Sequence, residues 1–135
     1  MILGVGTDIV NINRIKESIS QFGDSFINRC FTPKEIEIAN TKAKKVEFYA
    51  KRFAAKEAFL KALGTGMTHK VSWQDLEIVN NVAGRPLINV KGESLEIINR
   101  SSLEILNKSA KDINIHLTMS DDDPYATATV IIEVI

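Results

Sequence analysis

The sequence predicts an α+β fold, with helices gathered early in the chain and strands mostly late. Two stretches support this. Residues 46–63 lack helix breakers and run into Gly64, the usual left-handed stop of a helix. Residues 126–135 are rich in β-branched side chains, which favour a pleated, half-buried strand. At 135 residues the chain is long enough to bury a core as one domain spanning 1–135.

The elements follow in order. Residues 2–10 read as a buried strand, with Gly4, Gly6, Asp8 and Val10 on one face and Leu3, Val5, Thr7 and Ile9 on the other. Asn11 or Asn13 then caps a short helix with Ile15, Ile19 and Phe22 along one side. Thr32-Pro33-Lys34-Glu35 combines a capping box with proline in the first turn, a strong helix start. Residues 73–79 and 87–90 read as two strands joined by a loop containing Gly84-Arg85-Pro86. Residues 95–106 are predicted helical. Residues 113–120 and 126–135 are predicted strands, connected by Asp121-Asp122-Asp123-Pro124.

Composition narrows the class. The hydrophobic and charged fractions, 44% and 25%, are those of an ordinary globular protein. A single cysteine, Cys30, excludes an intramolecular disulfide and suits a reducing compartment. The N-terminal stretch has no basic region, and Asp8 interrupts its apolar run, so a signal peptide is not expected. No apolar run is long enough to cross a bilayer. A cytoplasmic protein with no membrane partner is the expectation. The zero net charge hides a skew. Residues 1–70 hold 12 Lys and Arg against 7 Asp and Glu, and residues 71–135 hold 5 against 10. A basic half suits an acidic partner or a phosphorylated ligand. Nucleic acid is disfavoured, because the cations are not interleaved with aromatics and no nucleic-acid-binding motif is present.

The stretch KRFAAKEAFLKALGTG, residues 51–66, is the richest in chemistry. On a helical wheel Glu57 falls among Ala50, Phe53, Ala54 and Leu60, with Lys61 one turn further along the same side. Arg52 and Lys56 share a different side. A carboxylate in an apolar sector needs a partner. Two readings stand: an i,i+4 pair with Lys61, or a metal ligand with Lys61 facing the metal's anionic ligand. Asp8 lies mid-strand, where aspartate is disfavoured, beside two glycines that leave room for an approaching group. It could equally cap the next helix. Two isolated carboxylates on rigid elements suit Mg²⁺, which takes one or two protein carboxylates, waters and phosphate oxygens. Gly64-Thr65-Gly66 could bring backbone N–H groups to a phosphate, or simply stop the helix.

These residues, in this order and spacing, resemble a known family. GVGTDIVNINRI at 4–15, FTPKE at 31–35, KRFAAKEAFLKALGTG at 51–66, the stretch 73–78, Gly84-Arg85-Pro86, and His116 followed by YATATVII are similar to the holo-acyl-carrier-protein synthases, the short bacterial 4′-phosphopantetheinyl transferases. The likeness covers nearly the whole chain. It implies an antiparallel sheet packed with a long helix, assembled as a homotrimer with sites shared between subunits. It implies transfer of 4′-phosphopantetheine from coenzyme A to a serine of apo-acyl carrier protein, for fatty acid biosynthesis, with release of adenosine 3′,5′-bisphosphate.

The resemblance assigns residues as well. Asp8 and Glu57 match the Mg²⁺ ligands, and Lys61 would neutralise the coenzyme A phosphates. Gly64, Thr65 and Gly66 would hug the nucleotide. Arg52, Lys56 and His116 are further candidates for coenzyme A contacts. Arg14 matches a position that meets the acidic carrier protein, and Arg29 is a looser candidate. One departure is clear: where many relatives carry HxSxSH, this chain has His116 followed by Leu-Thr-Met-Ser-Asp121. The role of the second histidine is then lost, or taken by Asp121 or Asp122. The competing expectation is a non-catalytic module that binds coenzyme A or another phosphorylated ligand.

Overall fold

The computed structural model describes residues 1–64 and 71–135. Its first half is β1 (Ile2–Asn11), α1 (Ile12–Phe22), α2 (Asp24–Cys30), α3 (Pro33–Ala39) and α4 (Lys45–Leu63). A 3₁₀ turn at Trp73–Asp75 leads into β2 (Leu76–Asn80) and β3 (Pro86–Val90). Then come α5 (Glu93–Leu106), β4 (Ile113–Asp122) and β5 (Tyr125–Val134). β1, β5 and β4 form an antiparallel sheet in that order, while β2 and β3 make a separate hairpin.

α4 lies across the inner face of the three-stranded sheet. That face is built by period two from Val10 of β1 and from Ala126, Ala128, Val130, Ile132 and Val134 of β5, all buried. α4 meets it with alanines, Ala54, Ala55, Ala58 and Ala62. Small residues on both sides let helix and strand approach to backbone contact. A Cβ on Gly4 would land on the Ala62 carbonyl, and one on Gly6 on the Ala58 carbonyl. These two glycines are there for space.

The helix is buried on nearly every side, because α1, α2, α3 and the β2–β3 hairpin cover the flanks away from the sheet. A buried ion pair ties that cover down. Lys56 Nζ donates to Glu35 Oε1 at 2.7 Å, to the Cys30 carbonyl at 2.7 Å and to the Trp73 carbonyl at 3.1 Å. Glu35 in turn accepts from Thr32 N, closing the capping box of α3, and from Ile78 N of β2. Both side chains are 0% exposed. One carboxylate and one ammonium thus bind together α2, α3, α4, the 3₁₀ turn and β2.

Three sequence expectations change. Residues 2–10 are a strand, but only its even face is covered: Val5 and Ile9 on the odd face are 59% and 63% exposed. Residues 73–79 open with the 3₁₀ turn, since Ser72 accepts from Gln74 N and pairs reciprocally with Asp75 in a capping box. The sequence predicts no helix at α2, whose N-cap is Gly23 with no side-chain cap.

The close approach makes a direct prediction. Gly6→Ala should cost about 1–3 kcal/mol or more of folding free energy, because backbone on both sides must move. Urea denaturation against the parent measures it.

Candidate active site

Asp8 belongs to the even face of β1 and so points toward α4. The glycines before it set the spacing at which α4 side chains reach it. Lys61 Nζ donates to Asp8 Oδ1 at 3.0 Å, so among the described residues the lysine pairs across elements rather than with Glu57 one turn away on its own helix. Asp8 is largely covered, and Lys61 is half exposed. Glu57 is close enough to feel both. Burial pushes its carboxyl above the usual glutamate range, the Asp8 carboxylate adds to the rise, and Lys61 opposes it. Two carboxylates and one cation therefore share a small site with a surplus of negative charge.

The site opens into a cavity of about 270 Å³ lined by Asp8, Glu57, Arg14, Ser18, Phe26 and Phe53. Phe26 and Phe53 give it aromatic walls, and Arg14 adds a cation. Among the described residues no third His, Cys, Asp or Glu joins the carboxylate pair. That donor set fits Mg²⁺, which keeps several waters and needs one or two carboxylates. It does not fit a structural zinc site, which uses four protein ligands.

The other sequence candidates divide. Lys56 is corrected. Its ammonium has three protein acceptors, is fully buried, and burial pulls its proton affinity below the usual lysine value despite Glu35. It has no N–H left for a ligand phosphate. Arg52 lies about 140° around α4 from Glu57. It stacks on Phe48 at 3.6 Å and donates from Nη2 to Asn80 Oδ1 at 3.0 Å, and its Nε has no partner among the described residues. Burial pulls its pKa down to about 10. This guanidinium lines a larger cleft, about 670 Å³, together with Lys34, Lys42, Lys44 and Lys51. The cleft was not anticipated from sequence, although Lys42, Lys44 and Lys45 in close succession were a signal.

His116 lies on the outer face of the sheet, opposite Asp8's face, where it pairs with Glu133 at 2.9 Å. It borders a depression beside Arg85, Pro86 and Leu87 of the β3 edge. Arg29 is exposed in the last turn of α2, outside the Asp8–Glu57 cavity. Gly64 caps α4 with φ of 82°. Thr65 and Gly66 lie outside the described residues. Among the described residues, a carboxylate site and a cation-rich cleft therefore lie on different sides of α4.

This architecture defines a class: a small α+β domain with a carboxylate pair between its first strand and its long helix. Comparison with known proteins identifies it. The sequence profile of the 4′-phosphopantetheinyl transferase superfamily matches residues 4–130. A holo-[acyl-carrier-protein] synthase of Methylorubrum extorquens is 44% identical, covering 100% of this chain and 96% of that protein. One from Wolbachia pipientis is 42% identical, covering 98% of each. Among solved structures, the Neisseria meningitidis holo-[acyl-carrier-protein] synthase superposes with a TM-score of 0.80 at 38% identity, over 98% of this chain and 99% of that one. The Helicobacter pylori synthase, solved in complex with coenzyme A, gives 0.76 at 29% identity, over 96% and 99%. The chain belongs to the 4′-phosphopantetheinyl transferase superfamily.

Glu57→Gln tests the electrostatics without any ligand. The folded chain binds a proton at Glu57 more readily than an unfolded one, so the ionised carboxylate costs stability above its raised range. In metal-free buffer at neutral pH the variant should melt higher than the parent. The gain should shrink as the pH falls and the parent's own Glu57 takes up its proton. A lower melting temperature at neutral pH would mean that Glu57 supports the fold.

Proposed function

We propose that this chain is an Mg²⁺-dependent enzyme that transfers 4′-phosphopantetheine from coenzyme A to a serine hydroxyl of apo-acyl carrier protein. The observation behind the reading is the Asp8–Lys61–Glu57 cluster at the mouth of a cavity that also holds Arg14. In the reaction, serine Oγ forms a bond to the phosphorus that carries pantetheine. The bond from that phosphorus to the bridging pyrophosphate oxygen breaks, and adenosine 3′,5′-bisphosphate leaves. The serine proton passes to Glu57 or to water. Asp8 and Glu57 would hold the ion, which supplies charge neutralisation at the pyrophosphate. Lys61, half exposed and anchored on Asp8, would take a share of the same negative charge. The covered position of Asp8 limits water around the carboxylate pair, which strengthens each of these interactions.

The carrier is acidic, and the cations of the first half would steer it. Arg14, exposed on α1 and lining the cavity, would meet the carrier. The cation-rich cleft around Arg52 would take a phosphate of coenzyme A. Because cleft and carboxylate site lie on different sides of α4, we assign them to two neighbouring subunits of one composite site. The exposed Val5 and Ile9, in register with Ile131 and Thr127, would be covered in a homotrimer. Fatty acid biosynthesis in the cytoplasm is the accompanying role.

The deciding experiment is the intact mass of apo-acyl carrier protein after incubation with this protein, coenzyme A and Mg²⁺. A gain of one phosphopantetheine, abolished by EDTA, is expected. Glu57→Gln should reduce that turnover by orders of magnitude while coenzyme A still binds. A folded protein that binds coenzyme A and modifies nothing would be a binding module instead. Arg14→Ala should raise KM for the carrier and leave KM for coenzyme A nearly unchanged. Equal KM values for the carrier would remove Arg14 from that surface.

A further inference from the structure

The cation-rich cleft contains a carboxylate that works against its charge. Asp121, at the end of β4, has an oxygen 3.3 Å from Lys51 Nζ, and both line the cleft. Each side chain is about one-third exposed, at 37% and 31%. Asp121 is a strand residue in register with Ala126 of β5, so the carboxylate stands on a rigid element. Lys51 is on α4, one residue before Arg52 and one helical turn after Glu47, the cleft's other anion. Lys51 thus has a carboxylate partner, whereas among the described residues the buried guanidinium of Arg52 has only a neutral amide, Asn80.

We infer that Asp121 lowers the affinity of this cleft for anions: its carboxylate holds Lys51 and competes with a ligand anion for that lysine. The inference rests on the reading that the cleft takes a phosphate of coenzyme A. A phosphomonoester carries close to two negative charges at neutral pH and can outcompete a single carboxylate. Asp121 therefore lowers the affinity of the cleft for every anion that draws on Lys51.

The probes are adenosine 3′,5′-bisphosphate and sodium chloride, with calorimetry on the intact protein. Asp121→Asn keeps the shape and removes the charge. It should bind the bisphosphate about two- to fivefold more tightly at low salt, the range set by one exposed ion pair. The gain should disappear in the Asp121→Asn/Lys51→Ala double variant and should shrink at high salt. The double variant Lys42→Ala/Lys44→Ala, altered only at exposed cations, distinguishes anion binding by the cleft from the role of Asp121. Unchanged binding there, or no binding by the parent, would overturn the cleft reading and the inference together. Weaker binding there with an unchanged or weakened Asp121→Asn would overturn the inference alone. A gain that survives loss of Lys51 would also overturn it, because the carboxylate would then act without the lysine.

Discussion

The backbone contact between β1 and α4 is the constraint on which the rest of the molecule depends. Gly4 and Gly6 let the strand press onto the helix carbonyls of Ala62 and Ala58. At that separation an aspartate two residues further along the strand reaches a lysine on the helix, and a glutamate one turn earlier sits within range of both. A few ångströms more would leave Asp8 a solvated strand residue and Glu57 an isolated one. The contact fixes the reach of the charged groups through the smallest side chains in the chain.

The opposite flank of α4 solves a different problem. A helix buried on nearly every side has no water to receive its polar residues, so each must find a partner within the protein. Lys56 does so completely, with Glu35 and two carbonyls. Arg52 does so only in part: among the described residues it is stacked on Phe48 and bonded to one amide, and it lines the cleft. The contrast separates a structural cation from one available to a ligand, although both are more than nine-tenths buried.

That contrast also marks the limit of what the sequence disclosed. The long helix was legible to within a residue, because Gly64 ends it and nothing inside it breaks it. The Thr32–Glu35 capping box was legible because its chemistry is local. The seven residues of α2 were not, since their cap is a glycine and their stability comes from what they cover. Asp8, Glu57 and Lys61 could be grouped from the wheel and the strand period, because one strand face and one helix side decide them. Lys56 and Arg52 could not be told apart that way. A wheel gives the direction of a side chain but not whether α2, α3 and a hairpin lie in that direction. The cleft itself draws on α3, α4, the hairpin and β4, a meeting of distant segments that no local pattern encodes.

The order of strands in the sheet has a consequence for how the protein comes into being. β1, which holds Asp8, has β5 as its hydrogen-bonded neighbour, and Asp8 lies in register with Ala128. During translation the first strand therefore emerges long before its partner. The helices, built from local contacts, can form while synthesis proceeds, but the sheet must wait for β5. The carboxylate pair is thus among the last features of the molecule to take shape. A ribosome stalled before residue 125 would hold a chain in which β1 has no neighbouring strand and the site has not formed.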